Sequence, residues 1–359
     1  MGSSAPQIRL SSTGSYPRVS DRPESHLLER TIVSFDRGER TSADLLDAQN
    51  TVTRHAIAEQ VKAGLEIITD GQIRWNDPIS HLAGKLEHVT LQESLPFFRT
   101  QTHFRQPVFS AQPVRRAAMI VDEYSFARNA LGHLPTPPGK AGRLAIKPVL
   151  TGPYTMAKLS ASENNGGNGS HADRAKLETR AHQFAEILAK EIEALAQFGA
   201  RLIQIDEPAI LDYPEDWPIF EAAISTLATG RDGLKDGHKL ELALYTFFGD
   251  AAPVYEKLLA LPVDILGLDF TSSPALLDKV SSVGSPKSLA LGFVDGCSSK
   301  MESAQEIARA VGRILPKIKT DEVFLGTSCG LRFLSAPVAF SKLALLSSVQ
   351  AELVGASSA

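Results

Sequence analysis

The sequence predicts an α/β fold, a (β/α)8 TIM barrel with a hairpin-like insertion after the second strand, and three observations carry that reading. Short β-branched runs alternate with longer amphipathic stretches, the pattern of βαβ units around a parallel sheet. The strand candidates number eight, the count of a barrel. No Gly-rich dinucleotide fingerprint follows the first of them, which leaves the doubly wound open sheet as runner-up. Residues 1–359 are read as one domain, because barrels of this length run as single units.

Taken in order, the strand candidates are Ile8–Thr13, Leu65–Thr69, Leu144–Leu150, Leu202–Ile205, Leu240–Tyr245, Ile265–Leu268, Ser288–Phe293 and Glu322–Leu325. Helical spacing marks Asp44–Ala63, Ala172–Phe198, Pro253–Ala260, Ser303–Leu315 and Ala336–Leu353. In the first of these, Leu45, Val52, Ile57 and Val61 share one stripe. Between the second and third strands, residues 86–115 alternate apolar positions (Val89, Leu91, then Phe104, Val108) among prolines and read as a hairpin. The Asn/Gly-rich stretch 162–170 reads as a flexible loop, with a lid after a strand end as the alternative. Its Asn168 sequon carries no weight, because Met1 to Arg9 shows no apolar core of a secretory signal.

Composition removes several classes of function. The 37 basic residues against 41 acidic ones give a net charge of −4, which argues against a nucleic-acid or anionic-membrane surface built on bulk charge. The two cysteines, Cys297 and Cys329, make neither a disulfide framework nor a four-Cys zinc module, and they suit a reduced, cytoplasmic setting. An apolar share of 43% excludes global disorder. No apolar run approaches the roughly 18 residues of a membrane span.

In a barrel the chemistry stands where the strands end. Here those ends deliver Gly14-Ser15-Tyr16-Pro17-Arg18, Asp70-Gly71-Gln72 with Asn76-Asp77 just beyond, and Thr151-Gly152-Pro153-Tyr154. They continue with Asp206-Glu207-Pro208, Tyr245-Thr246-Phe247, Asp269, Asp295-Gly296-Cys297 and Thr327-Ser328-Cys329-Gly330. For any single Asp a helix cap is the alternative reading. Asp206-Glu207-Pro208 is the sharpest of these signals. Adjacent strand residues point to opposite faces, so only one of the acids faces the pocket. Such an acid suits an amine-bearing substrate, or general acid/base work where burial raises its pKa.

These motifs, in this order, resemble the catalytic barrel of cobalamin-independent methionine synthase. The carriers are Gly14-Ser15-Tyr16-Pro17, Asp70-Gly71-Gln72, Thr151-Gly152-Pro153-Tyr154-Thr155, Gln204-Ile205-Asp206-Glu207-Pro208-Ala209 and Ser328-Cys329-Gly330-Leu331, spread from about residue 10 to residue 350. The length resembles that of the single-barrel members. The resemblance implies a zinc ion held by His, Cys, Glu and Cys that binds the thiol of homocysteine, which then takes a methyl group from a carrier. It also implies that Asp206 contacts the substrate amine, Ser15 stands near its carboxylate and Cys329 is a zinc ligand.

The pattern also breaks. With Tyr245-Thr246-Phe247-Phe248 aligned to the family, its His-x-Cys ligand pair falls on Leu242 and Leu244, which bind no metal. The glutamate ligand falls on Asp269, another glutamate on Gln72, a folate-stacking tryptophan on Leu159, and a histidine on Cys297. His81 alone among the histidines stands near a strand end. A rearranged zinc site of Cys329, Asp269 and Cys297, with Asp295 as a further candidate, is therefore one expectation. The alternatives are a zinc-less enzyme acting on another small nucleophile, and an inactive binding barrel. The expected catalytic pair is Asp206 and Glu207. Substrate contacts are expected from Ser15, Arg18, Gln72, Asn76, Asp77, Tyr154, Tyr245 and Phe247. The expected partners are an amino-acid-like substrate and a methyl donor, with a methyl-carrier protein as a further candidate, and neither nucleic acid nor membrane.

Overall fold

In the computed structural model, which describes residues 6–18, 23–162, 171–234 and 239–357, all barrel strands run parallel. They are β1 (Gln7–Leu10), β2 (Ile67–Ile68), β5 (Ala145–Ile146) with β6 (Val149–Thr151), β8 (Leu202–Asp206), β9 (Glu241–Thr246), β10 (Ile265–Asp269), β11 (Ser288–Val294) and β12 (Glu322–Thr327). The hydrogen-bonded order is β1-β12-β11-β10-β9-β8-β6. The remaining gap is closed by a Ser11–Ile67 bridge from β1 to β2 and by the β2–β5 pair. Lys147 and Pro148 join β5 to β6, so these two pieces act as one interrupted strand, and all eight predicted strands are present.

The insertion is a two-stranded antiparallel hairpin, β3 (Glu87–Pro96) and β4 (His103–Val114), which the short β7 (Ala161–Ser162) extends. The loop expected over 162–170 lies, from residue 163 onward, outside the described residues.

Helices form the outer layer: α1 (Pro23–Asp36), α2 (Ser42–Lys62), α3 (Ser80–Ala83), α4 (Val121–Gly132), α5 (Pro153–Lys158) and α6 (His171–Gln197). After them come α7 (Ala209–Asp212), α8 (Trp217–Asp232), α9 (Tyr255–Ala260), α10 (Leu276–Val283), α11 (Ala304–Ile314) and α12 (Ala336–Ser357). α2 starts at a reciprocal cap, in which Thr41 Oγ1 accepts from Asp44 N and Asp44 Oδ2 accepts from Thr41 N at 2.8 Å. α12 is long and apolar enough to cross a bilayer by length and composition alone, contrary to the sequence reading. One face of it packs inward: Ala339, Leu343, Leu346 and Val349 are fully buried, and Lys342 Nζ reaches Glu302 at 2.8 Å and the Lys300 carbonyl.

Two apolar cores follow from strand alternation. Ile67, Ala243, Tyr245, Phe247, Ile265, Ala290, Phe324 and Cys329 form the barrel interior. Leu242, Leu244, Leu266, Leu268, Leu289, Leu291, Val323 and Leu325 belong to the larger cluster under the helices.

Candidate active site at the C-terminal face of the barrel

One narrow pocket opens at the strand ends. It is lined by Thr13, Ser15, Gln72 and Thr151, by Asp206 and Arg332, and by the aromatic rings of Phe97, Phe247, Phe248 and Phe333. A larger groove lies at the opposite end of the barrel, around Gln7, Lys140, Arg309 and Gln350, and holds none of the strand-end residues.

Asp206 ends β8 and takes the pocket side, where Gln204 Nε2 donates to its Oδ1 at 2.7 Å. Burial raises its carboxyl to about 7, while the Gln204 hydrogen bond and the positive Lys147 pull it down. Lys147 rises inside the barrel on the β5–β6 joint. Its Nζ donates to the Ser12 carbonyl at 2.9 Å and to Ser11 Oγ and Tyr245 Oη at 3.2 Å each. Desolvation lowers its ammonium to about 7, against the pull of Asp206. Tyr245 therefore lies beneath the pocket, its ring 4.6 Å from Lys147 Nζ, and not in the pocket wall.

Ser15 is fixed by backbone contacts: its carbonyl accepts from Leu331 N at 2.7 Å, and a side chain at Gly330 would strike its hydroxyl. Gln72 sits in the left-handed region at φ 50°, held by Asp70 Oδ1, which accepts from its N–H at 2.9 Å. Phe248, another pocket residue, has φ 69°. Non-glycine residues in this region are strained and gather at functional sites. Phe248 packs on Phe247 at 4.7 Å, on Phe98 at 5.7 Å and on Phe333 at 6.1 Å between centroids.

Arg18 and Arg332 stand side by side at the pocket's edge. Arg18 Nη1 donates to the Trp75 carbonyl at 2.8 Å and to Asn76 Oδ1 at 3.1 Å, and Arg332 Nη2 donates to the Asn76 carbonyl at 2.7 Å. Among the described residues neither forms an ion pair, and Arg18 Nε and Arg332 Nη1 are buried without a hydrogen-bond partner. Burial, then the charge of Arg332, lowers the Arg18 guanidinium to about 10; burial also lowers Arg332, against the pull of Asp77. Two desolvated cations with orphaned donors are electrostatically incomplete without an anion.

Besides Tyr245, three more expected site residues are placed elsewhere. Glu207, 0% exposed, points away from the pocket and caps α5, its oxygens accepting from Tyr154 N at 2.9 Å, Thr155 N at 2.8 Å and Thr155 Oγ1 at 2.7 Å. Tyr154 is fully buried in the helix layer and donates to Asp216 Oδ2 at 2.9 Å. Asp77 organises a turn, accepting from Ile79 N, Ser80 N and the Ser80 hydroxyl. Strand alternation and local capping, respectively, use these groups up. Arg332, Phe97, Phe248 and Phe333 were not singled out from the sequence, although Arg332 and Phe333 directly follow the Cys329-Gly330-Leu331 motif.

The metal candidates divide. Cys297 and Cys329 Sγ lie 3.6 Å apart. The Cys329 thiol is raised well above its ordinary value by its hydrogen bond with Cys297, by burial and by the charge of Asp269. Asp269, however, spends its carboxylate on its own loop: Oδ1 accepts from Thr271 N at 2.8 Å, Thr271 Oγ1 at 2.7 Å and Ser272 N at 3.0 Å, and Oδ2 from Phe248 N at 3.3 Å. His81 is bound to Glu123 at 2.9 Å and stacked on Trp75 at 4.7 Å. Among the described residues, no three His, Cys, Asp or Glu are placed to hold a metal ion. The residues therefore do not fit a tetrahedral zinc with protein ligands alone. Leu242 and Leu244, where the family's ligand pair is expected to fall, lie outside the barrel interior. They face the helices, so the strand-end positions here that turn to the barrel interior are Tyr245, in β9, and Phe247, just beyond it.

Residues 10–352 match the model of the family described as "Cobalamin-independent synthase, Catalytic domain". Among curated proteins, the chain is 26% identical to a methionine synthase of Saccharolobus solfataricus, over 95% of this chain and 93% of that one. It is 28% identical to a methionine synthase of Methanothermobacter marburgensis, over 92% and 95%. Among solved structures, it superposes with a TM-score of 0.71 at 21% identity on a B12-independent methionine synthase from Shewanella sp. W3-18-1 in complex with selenomethionine, covering 98% of this chain and 100% of the other. At that identity the superposition speaks for the fold.

Proposed function

The chain belongs to the cobalamin-independent methionine synthase family, a family of methyltransferases, and from that premise we propose that it transfers a methyl group to the thiol of an amino acid such as homocysteine, giving methionine. The observation that carries the proposal is a pocket that pairs opposite charges, Asp206 and Arg332, with Ser15 and Gln72 beside them. A zwitterionic amino acid satisfies both ends. Its ammonium pairs with Asp206, and its carboxylate takes the orphaned guanidinium donors of Arg332 and Arg18. The Phe97, Phe247, Phe248 and Phe333 rings then enclose the aliphatic, thiol-bearing arm and exclude water from it.

The family is typically zinc-dependent. Because the donor set here does not fit that ion, the chemistry assigned to this chain is binding, orientation and desolvation of the acceptor by its own residues. Complementation of a methionine auxotroph tests the reading: wild type supports growth and Asp206→Asn does not. Absence of growth with a soluble, folded wild-type protein overturns methionine synthesis. Calorimetry with L-methionine and L-methioninamide tests the carboxylate contact. The amide, and the acid against Arg332→Met, bind about 10- to 100-fold more weakly, the worth of a charge-assisted hydrogen bond.

A further inference from the structure

We propose that Cys297 and Cys329 form a redox-active dithiol, which a low-molecular-weight disulfide such as oxidised glutathione closes into an intramolecular disulfide at the rim of the pocket. The geometry is already assembled. Both cysteines are free, and their sulfurs are 3.6 Å apart although they stand on different loops, after β11 and after β12. Gly296 makes the approach possible, since a Cβ there would lie 2.7 Å from Cys329 Sγ. Closing to the roughly 2 Å of a disulfide takes a movement of about 1.5 Å. Cys297 is free to make it: it is exposed, and residues 295–303 carry no regular secondary structure. Among the described residues no third ligand is placed to compete for the pair: Asp269 accepts from Thr271, Ser272 and Phe248, and Asp295 Oδ1 accepts from Cys297 N at 2.8 Å.

The accessibilities assign an order to the steps. The exposed Cys297 sulfur attacks the incoming disulfide, forms a mixed disulfide and releases the first small thiol. The buried Cys329 sulfur then attacks the Cys297 sulfur, forms the internal bond and expels the second small thiol. The protein loses two hydrogens, the small disulfide gains them as two thiols, and a dithiol reductant reverses the sequence.

The test uses the full chain and needs no methyl transfer, so its failure is separate from failure of the proposed activity. Since the chain has two cysteines, titration of thiols after exposure to oxidised glutathione and unfolding counts the event directly. The expected count falls from two to zero, with an intact mass lower by two hydrogens, no glutathione adduct, and full recovery on reduction. In Cys329→Ser the adduct persists on Cys297. In Cys297→Ser the Cys329 thiol does not react. A wild-type protein that carries a lasting adduct on Cys297 with Cys329 still reduced overturns the proposal. So does one that keeps both thiols, or one that links two chains.

Discussion

Asp206 is set up as a carboxylate whose charge is in question near neutral pH. Desolvation raises it to about 7 and lowers Lys147 to about 7, each against the opposing charge of the other. The sign of the consequence follows. Above about 7 the carboxylate is ionised and holds an ammonium; as pH falls through that value it is protonated and the contact is lost. The acid limb of kcat/KM therefore falls near pH 7 and is absent from Asp206→Asn, whose kcat/KM is about 10- to 100-fold lower on the plateau. Lys147→Met removes the positive charge that holds Asp206 down, and the limb moves up by about 1 pH unit or more. A limb unmoved in Lys147→Met would show that the two groups are not coupled. Asp206 was legible because an acidic pair ahead of Pro208 at a strand end must turn one of its two carboxylates toward the C-terminal face of the barrel. Lys147 was not, since a lone lysine before Pro148 in an apolar run carries no sign of pointing inward.

At the scale of elements, alternation decides which residues meet the substrate, and a barrel strand hides it. β9 is buried on both faces, so Leu242 and Leu244 read no differently from Ala243 and Tyr245. The strand was predictable and its inward register was not. At the end of β8, the same alternation sends Asp206 to the pocket and Glu207 to α5. Glu207 meets three donors at the first turn of that helix, and Gly152 leaves it the room, because a Cβ at Gly152 would occupy the place of its carboxylate. Glu207→Ala strands those donors in the interior and costs about 2–5 kcal/mol, read as a lower urea midpoint. Gly152→Ala destabilises by displacing the same carboxylate. Refolded fractions of either variant keep the wild-type KM for the acceptor. A variant with unchanged stability and lost turnover would return Glu207 to the catalytic group.

Across the whole molecule, the hairpin turns an open barrel end into a closed pocket. The alternation of Val89, Leu91, Phe104 and Val108 exposed the two strands in the sequence, but their destination depends on contacts far along the chain. Arg99 Nη2, in the turn of the hairpin, donates to Oδ1 of Asp212, the last residue of α7, at 2.7 Å and to the Phe248 carbonyl, beyond β9, at 2.8 Å. Phe97 and Phe98 pack on Phe248, with centroids 6.2 Å and 5.7 Å apart. No local pattern announces such a latch, because its partners are 113 and 149 residues away. The Arg99 side chain is 70% exposed, so the ion pair itself is worth about 1 kcal/mol or less, and Arg99→Ala leaves the urea midpoint of the barrel nearly unchanged. Its effect falls on the pocket: with the tip released, Phe97 no longer holds its wall and the KM for the acceptor rises several-fold. Phe97→Ala raises it further while β3 and β4 stay paired. Limited proteolysis separates this from general loosening, since Arg99→Ala exposes new cleavage confined to residues 97–102. An unchanged KM in both variants, with that cleavage present, would mean that the hairpin covers the barrel without forming part of the site.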